Sequence, residues 1–299
     1  MAMNVTARTS PLIAVQSSSV PWNLEATWDR YEAEVRGLRA DFPETRLIIH
    51  PELYLAAVAP PTMPRPTRAQ PRRRIAQDIP GPLANRLCAL ARELDLWPVP
   101  GSIYEKAENG GAYNTALAIA PDGSIRARYR KIFPWRPWEQ TVAGNEFVVF
   151  DMEGVGRIGL MVCYDGWFPE VARHLAWMGA EVILQPSLTT TSDRPQEVVL
   201  ARANAIANQV FIVNVNAGSP GFGASLIVDP EGHELQVAAS GDAFLREVLD
   251  LDAVTRVRDH GSVGINRMWA QLADQAGDVA LPLYGGSFAA AAKPPKRFG

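Results

Sequence analysis

The sequence has few cysteines, a small net charge and no long apolar run. Its 299 residues include two cysteines, Cys88 and Cys163, which are too few for a disulfide framework. Lysine plus arginine number 29 and aspartate plus glutamate 32, so the formal net charge of −3 gives no reason to expect nucleic acid or an anionic membrane as a partner. No apolar run approaches the roughly 20 residues of a membrane span, and no secretory pattern precedes Pro11. These absences predict a soluble, cytoplasmic protein with free thiols.

Several common catalytic and cofactor-binding motifs are also missing. The chain has neither a phosphate-binding Gly-Lys-Ser/Thr loop nor the Gly-x-Ser-x-Gly turn of serine hydrolases. The segment 154–159 has the glycine spacing of a dinucleotide-binding loop, but a predicted strand follows it instead of the helix that would hold a pyrophosphate. We therefore interpret it as a hairpin turn. The four histidines are far apart in the sequence, so we expect no zinc site.

What is present is the composition of an ordinary globular protein, with 47% apolar and 20% charged residues. Segments with helical spacing of apolar residues alternate with short apolar runs that predict buried strands, the helices at 22–40, 83–94, 168–178 and 195–208 and the strands at 12–16, 47–49, 182–185 and 210–215. A strand that follows a helix predicts parallel pairing, while turns at 121–123 and 229–232 predict hairpins. We expect an α/β fold with mixed sheets.

No shift in composition divides the chain into two domains. We expect one domain over residues 1–280 and a C-terminal tail over 281–299, which either is disordered or reaches a subunit interface. The segment 60–82 is rich in proline and arginine, which is typical of a solvated surface loop. A lid or a partner-facing loop is the alternative.

The segment from Gly159 to Glu170 carries the most chemical information. An apolar strand ends at Cys163, and a helix begins near Pro169, because proline suits a first helical turn. This order places Cys163 at a strand end beside a helix N-terminus, whose free N–H groups favour thiolate over thiol. The backbone N–H of Tyr164 is then a candidate donor to an oxyanion. A buried structural cysteine is the competing interpretation.

Two further segments carry a charge where packing alone gives no reason for one. Glu52 follows the apolar strand 47–49 through Pro51, which removes a ladder donor and ends the strand. Lys131 leaves a predicted hairpin strand and enters a loop rich in proline and tryptophan, where aromatic neighbours would desolvate its ammonium group unless it had an anionic partner. A basic strand end with tryptophans that cap the core is the alternative.

These three segments resemble the signatures of the carbon–nitrogen hydrolase (nitrilase) superfamily. They are Pro-Glu52, Tyr-Arg-Lys131-Ile-Phe-Pro-Trp and Val-Cys163-Tyr-Asp-Gly-Trp-Phe-Pro-Glu, in the family's order, and the resemblance runs from about residue 11 to about residue 255. It implies an α-β-β-α four-layer sandwich, a Glu-Lys-Cys triad, no metal or cofactor, and a homo-oligomer. It also points to Glu139 as the family's second glutamate, with a solvent-facing loop carboxylate as the alternative.

Within the family, the sequence is most similar to the aliphatic amidase and formamidase branch. Glu139 lies eight residues after Lys131 (139 − 131 = 8), and Cys163 opens a Cys-x-Asp-Gly-x-x-Pro-Glu motif, both as in that branch. Tyr164 and Trp167 depart from the residues usual there, and this departure leaves the acyl group of the substrate open.

The resemblance implies a cysteine-dependent amidase that hydrolyses a small carboxamide to a carboxylic acid and ammonia through a thioester. Cys163 is the expected nucleophile, Glu52 the general base and Lys131 an oxyanion stabiliser, while Glu139 orients Lys131 or the amide nitrogen. Aromatic residues close in sequence to these groups are candidate walls of the acyl pocket, with packing into the core as their alternative role: Tyr54, Trp135, Trp138 and Trp167.

Three other functions stay open at this point. A nitrilase or an N-carbamoyl amidohydrolase would use the same triad, and a non-catalytic binding protein could keep the same fold. A redox-sensing thiol protein is a further alternative, but no resolving cysteine lies near Cys163 in the sequence.

Overall fold

The computed structural model describes residues 7–21, 23–56, 75–219 and 221–274, together with 280–281, 283 and 286–287. The helices in these ranges are α1 Leu24–Asp41, α2 Pro82–Leu94, α3 Pro169–Trp177, α4 Arg194–Asn208, α5 Asp252–His260 and α6 Met268–Asp274. The strands are β1 Thr9–Gln16, β2 Leu47–Ile49, β3 Trp97–Val99, β4 Ser102–Lys106, β5 Ala112–Ile119, β6 Ile125–Arg130, β7 Val148–Met152, β8 Gly156–Leu160, β9 Val182–Pro186, β10 Phe211–Val215, β11 Leu226–Val228, β12 Glu234–Val237, β13 Ala243–Asp250, β14 Ala280–Leu281 and β15 Gly286–Ser287.

Local sequence signals set the helix ends that frame the sheets. The side chain of Asn23 caps α1 by accepting a hydrogen bond from the Ala26 N–H, as asparagine is well suited to do at a helix start. Proline stands in the first turn of α2, α3 and α4, where its missing N–H leaves no helical bond unmade. Both α2 and α4 end in a left-handed residue, Asp95 and Gln209, whose backbone N–H returns to a carbonyl of the last turn.

The strands form two main sheets. One has the order β13-β1-β2-β3, with β1, β2 and β3 parallel and β13 antiparallel at its edge, and β5 of the three-stranded meander β4-β5-β6 lies next to β3. The other has the order β12-β11-β10-β9-β8-β7, with a parallel centre of β8, β9 and β10 and antiparallel hairpins on both sides. Parallel strands at the centre of each sheet are joined through crossover helices, as expected for an α/β protein.

The buried apolar residues divide into layers that show how the sheets stack. One cluster joins the inner faces of the two sheets, for example through Ala14 and Ile49 on one side and Leu160 and Val213 on the other. A second cluster packs α1 and α2 on the outer face of the first sheet, and a third packs α3, α4 and α6 on the outer face of the second. The result is the α-β-β-α sandwich that the resemblance implies.

The segment 154–159 forms the end of the turn between antiparallel β7 and β8 and the first four residues of β8, so it belongs to a hairpin and is not a dinucleotide-binding loop. Cys88 is half-buried on α2 against the apolar cluster of that layer.

Of the loop at 60–82, residues 60–74 lie outside the described residues, and so does most of the 281–299 tail. A single domain over 1–280 stays a prediction. None of the helices in the described ranges is long and apolar enough to cross a membrane.

Candidate active site

Three chain segments leave the sandwich at the same end and deliver a charged or nucleophilic side chain there. Glu52 lies three residues past β2, Lys131 follows β6 directly, and Cys163 lies three residues past β8. The first two come from one side of the sandwich and the third from the other sheet. The Glu52 N–H donates to the Ser187 carbonyl just past β9, a 3.2 Å bond that ties the two sheets together at this point.

The three side chains line one cavity of about 510 Å³. Glu139 lines it as well, so the structure brings together all four residues that the sequence singled out as catalytic. Glu52, Lys131 and Cys163 are buried at 4%, 1% and 9% exposure, which removes them from bulk water and strengthens every charge interaction among them.

Lys131 is the centre of a buried hydrogen-bond network. Its Nζ donates to Glu52 Oε1 at 2.9 Å and to Glu139 Oε2 at 2.7 Å. Asn114 Nδ2 donates to both carboxylates, at 2.7 Å to Glu52 and 2.9 Å to Glu139. The Thr141 hydroxyl adds a further hydrogen bond to Glu139 at 3.0 Å. One ammonium group thus holds two carboxylates in fixed positions around the cavity.

The three ionisable groups of this network differ in the direction of their pKa shifts. Burial alone would lower the pKa of Lys131, but attraction to Glu139 and Glu52 outweighs it and holds that pKa well above its usual value. Burial would raise the pKa of Glu139, yet Lys131 and the surrounding donors bring it down to about 2. For Glu52, burial and repulsion by Glu139 raise the pKa despite the neighbouring lysine. Glu139 is therefore a permanent anion, whereas Glu52 is the more basic carboxylate.

Cys163 occupies a backbone conformation that few side chains adopt. Its φ is +48°, in the left-handed region, and it opens a short 3-10 turn over Cys163–Trp167. The Cys163 Sγ lies 3.9 Å from Glu197 Oε1 and 4.0 Å from Thr189 Oγ1. A strained conformation at a residue that faces a cavity is a recurrent property of functional sites.

The expectation that the helix end favours a Cys163 thiolate is opposed by the structure. Burial, together with repulsion by Glu52 and Glu197, raises the pKa of Cys163 well above its ordinary value, and Lys131 offsets only part of this. The helix α3 begins at Pro169, six residues later, so its N-terminal N–H groups are not adjacent to the sulfur. These surroundings favour the thiol form of Cys163 over the thiolate.

Two neighbours hold the Cys163 turn in place. Asp165 accepts hydrogen bonds from the Val162 N–H at 2.8 Å, the Phe133 N–H at 2.9 Å and the Tyr129 hydroxyl at 2.7 Å, and so connects this turn to the segment of Lys131. Burial raises the pKa of Asp165 to about 6.

The second neighbour is Gln185, whose Nε2 donates to the Cys163 carbonyl at 3.0 Å. A Cβ on residue 166 would lie 2.2 Å from that amide nitrogen, which explains why Gly166 occupies the turn.

The backbone next to Glu52 is in close contact with Gly101. Gly101 connects β3 to β4 with a φ of +75°, and a Cβ at this position would lie 1.6 Å from the carbonyl oxygen of Pro51. A side chain here would displace the segment that carries Glu52, so the position requires glycine.

The four aromatic residues proposed as pocket walls separate into two pairs. Trp135 and Trp138 stack with ring centroids 4.7 Å apart and line the cavity. Tyr54 instead lies in a 3-10 turn that directs its ring to the helix layer, where its hydroxyl donates to Glu34 at 3.0 Å, and it does not line the cavity. Trp167 is half-buried beside Tyr164, with centroids 6.0 Å apart, and also lies outside the cavity lining. Tyr164 itself lines the cavity.

Sequence reasoning missed several residues that shape the site. Asn114 bridges Glu52 and Glu139, but this role depends on the register that pairs β5 with β6. Glu197 and Thr189 approach the sulfur from α4 and from the loop before it, and neither carried a signal in the sequence. Within the described ranges, no three His, Cys, Asp or Glu side chains are arranged to hold a metal ion.

Comparisons with known proteins show the family to which the chain belongs. The family model of the carbon-nitrogen hydrolases matches residues 12–254. A formamidase of Bacillus thuringiensis is 28% identical over 246 residues, which cover 81% of this chain and 67% of that protein.

Solved structures with the same fold include Saccharomyces cerevisiae Nit3, a member of branch 10 of the nitrilase superfamily, with a TM-score of 0.75 at 24% identity over 87% of this chain and 96% of that one. A mutant of the amidase from Nesterenkonia sp. AN1, which carries the acetamide moiety of fluoroacetamide on its active-site cysteine, has a TM-score of 0.68 at 21% identity over 86% of this chain and 95% of that one. The chain therefore belongs to the carbon–nitrogen hydrolase family, near its amidase and formamidase members, and is a hydrolase of C–N bonds.

Proposed function

We propose that the protein is a cysteine-dependent amidase, which hydrolyses a small carboxamide to the carboxylic acid and ammonia through a thioester on Cys163. The observation that carries this proposal is the convergence of Glu52, Lys131 and Cys163 on one buried cavity. A carboxylate, an ammonium group and a thiol are the base, the oxyanion stabiliser and the nucleophile that attack on an amide carbonyl requires.

The first half of the reaction forms the thioester. Glu52 removes the proton of the Cys163 thiol as the sulfur attacks the amide carbon, and the raised pKa of Glu52 makes this transfer less unfavourable. The same proton then passes from Glu52 to the amide nitrogen, the C–N bond breaks, and ammonia leaves. A base with a raised pKa is also the better acid in this second step.

The oxyanion is stabilised by charge that is already in place. Lys131 is held as an ammonium group by its two glutamate partners, and the Tyr164 N–H stands next in the chain to the nucleophile. One such donor in a dry site lowers the barrier by about 3 kcal/mol. Since Glu139 fixes the Lys131 Nζ at 2.7 Å, it is a positioning residue for that ammonium group.

The second half returns the enzyme to its resting state. A water molecule attacks the thioester carbon and gives its proton to Glu52. As the C–S bond breaks, Glu52 passes this proton to the departing sulfur, so the carboxylic acid is released and Cys163 is a thiol again. Trp135 and Trp138 form an apolar wall that limits the access of bulk water to this step.

The test is to substitute each of the two cysteines and follow ammonia release from a panel of small amides. Cys163→Ala abolishes turnover, whereas Cys88→Ala, which changes the half-buried thiol on α2, retains it. Intact-mass spectrometry of acid-quenched reactions finds the acyl increment in the wild type and in Cys88→Ala but not in Cys163→Ala. Turnover by a folded Cys163→Ala variant contradicts the proposal.

The panel, extended to nitriles and N-carbamoyl compounds, separates this function from the two other hydrolase functions that the sequence left open. Loss of a nitrile, or release of carbon dioxide with the ammonia, identifies a nitrilase or an N-carbamoyl amidohydrolase that uses the same three residues. A protein that binds amides without an acyl increment or turnover is a non-catalytic member of the fold. Association into a homo-oligomer stays a prediction, which light scattering checks.

A further inference from the structure

Glu197 is a buried carboxylate at the nucleophile that the proposed mechanism does not use. It comes from α4, an element that carries none of the residues assigned above, and it lines the cavity at 4% exposure. Its Oε1 lies 3.9 Å from the Cys163 Sγ. A buried carboxylate at this position lies within reach of any group bonded to that sulfur.

The two oxygens of Glu197 have different surroundings. Oε2 accepts a hydrogen bond from Arg194 Nη1 at 2.9 Å and another, short one from the Thr189 hydroxyl. Arg194 is itself anchored by the carbonyls of Gly223 and Ala224 and by Asn214. This anchoring fixes the carboxylate with one oxygen committed to the protein and Oε1 toward the sulfur and the cavity.

The charges around the cavity favour a cation over an anion. Among the described residues, the cavity lining includes four carboxylates, Glu52, Glu139, Asp193 and Glu197, and one cationic side chain, that of Lys131. Arg194 lies behind Glu197 and offsets one more of these negative charges. Lys131 is already paired with two of the four. A substrate that carries a carboxylate is repelled by these charges, whereas one that carries a protonated amine is attracted.

We propose that Glu197 Oε1 binds a hydrogen-bond donor on the acyl part of the substrate, so that the preferred substrates are small amides with a protonated amine or a hydroxyl next to the carboxamide. The inference rests on the amidase function proposed above. A substrate carbon bonded to Sγ places its neighbouring acyl atoms a few ångströms from the sulfur, which is the distance at which Glu197 Oε1 stands. Glu197 thereby selects the acyl group and does not serve as the base.

The experiment compares three amides of nearly equal size. Glycinamide carries a largely protonated amine at neutral pH, glycolamide a hydroxyl, and propanamide a methyl group at the same position. We expect the wild type to prefer glycinamide to propanamide by at least about tenfold in kcat/KM, since a hydrogen bond to a buried charged group is worth that much. Glycolamide falls between them.

The variant Glu197→Gln removes this preference. Its amide oxygen takes the bonds from Arg194 and Thr189, which leaves its NH₂ group toward the cavity, where it opposes a donor on the substrate. The ratio of kcat/KM for glycinamide to kcat/KM for propanamide falls at least about tenfold, and this ratio does not depend on a change in the reactivity of the Cys163 sulfur, which all three amides share. Glu181→Gln is the matched control, because Glu181 is equally buried and paired with Arg8 but lies outside the cavity lining.

Two kinetic outcomes overturn the inference and leave the amidase function intact. One is a wild type that hydrolyses propanamide as well as glycinamide. The other is a Glu197→Gln variant that loses the same factor with all three amides, which assigns Glu197 to positioning the nucleophile.

If no amide is hydrolysed, the proposed function fails, and equilibrium binding to Cys163→Ala decides the inference instead. Glycinamide then binds at least about tenfold more tightly than propanamide, and Glu197→Gln in the same background removes the difference. Equal binding of the two amides overturns the inference.

Discussion

Strand β6 leads to two charge clusters of opposite composition, one on each side of the sheet. Arg128 and Arg130 lie on one face and both pair with Glu105, so two cations share one carboxylate. Lys131 turns the other way and pairs with Glu52 and Glu139, so one cation shares two carboxylates. The arginine side chains are 39% and 37% exposed, whereas that of Lys131 is 2% exposed.

The comparison shows that access to water, more than the number of ion pairs, decides what a cluster can do. The surplus positive charge around Glu105 is solvated and has little effect beyond its own neighbours. The surplus negative charge around Lys131 is buried and is not solvated, so it raises the pKa of Glu52 and the pKa of Lys131. Shifted proton affinities of this kind are what acid–base chemistry at a cavity needs.

Removal of one cation from each cluster gives the largest contrast. We expect Lys131→Met to lower kcat/KM by about a thousandfold or more and to destabilise the fold by about 3 kcal/mol, because two buried carboxylates lose their partner. Arg128→Met costs roughly 0–1 kcal/mol and leaves turnover unchanged, since Glu105 keeps Arg130. Ammonia release and urea unfolding measure both effects. Equal losses in the two variants would show that the clusters do not differ.

Removal of one carboxylate next to Glu52 tests the pKa argument. Because the charge of Glu139 raises the pKa of Glu52, Glu139→Gln lowers that pKa, and the acid limb of the kcat/KM profile moves to lower pH. The maximal rate falls as well, since Lys131 loses a partner. Glu105→Gln changes a buried carboxylate of the other cluster and leaves the limb in place. A limb that moves upward in Glu139→Gln contradicts this account.

Asp165 extends the comparison to a buried carboxylate whose hydrogen bonds come from two backbone N–H groups and a tyrosine hydroxyl. Burial raises its pKa from 3.8 to about 6, so the folded state binds its proton more tightly than the unfolded state. The stability it contributes is fully present below about pH 4 and is lost as the pH rises through 6. Relative to Asp165→Asn, the free energy of unfolding of the wild type should fall by on the order of 2–3 kcal/mol across this interval. Denaturant titrations at several pH values check it, and parallel curves would refute it.

Added salt gives the smallest expected effect. The coupling between Glu105 and Arg128, measured by a double-mutant cycle, should weaken by a few tenths of a kcal/mol between about 0.05 M and 1 M NaCl, because half-exposed arginines are screened. The coupling between Glu139 and Lys131 should change less, since both groups are removed from solvent. A salt dependence of equal size in both pairs would mean that the cavity is open to ions.

Glu52, Lys131 and Cys163 were singled out because each lies at or just past the end of a predicted strand, in one of the three segments that resemble the family's signatures. Such a residue must lie at a sheet edge, and the edges of stacked sheets meet. Helices α5 and α6 and strand β3 were not predicted, whereas helices α1 to α4 and most strands were, through the spacing of apolar residues. Strands β4 and β13 were not, since buried polar residues such as Glu105 and alternating exposed ones such as Arg246 interrupt their apolar pattern.

The contacts made by side chains from distant segments could not be found in this way. Closeness in sequence to Glu52 suggested Tyr54 as a pocket residue, but the 3-10 turn after Leu53 directs its ring to Glu34 on α1. Glu197 is held beside the sulfur by Thr189 and by Arg194, and Arg194 is anchored to the loop between β10 and β11, 29 to 30 residues away. Packing of this kind depends on the whole fold, and no local pattern of residues encodes it.

The contact between Gly101 and the carbonyl of Pro51 has a consequence for protein engineering. A library that randomises the cavity to change its substrate range can vary Thr190 and Thr191, which line it without supporting Glu52. The same library will discard almost every clone altered at position 101, although that residue is absent from the cavity lining, because any larger residue displaces the backbone that carries the Glu52 carboxylate. A library for a new specificity should therefore vary the residues that line the cavity and keep Gly101 in the β3–β4 connection unchanged.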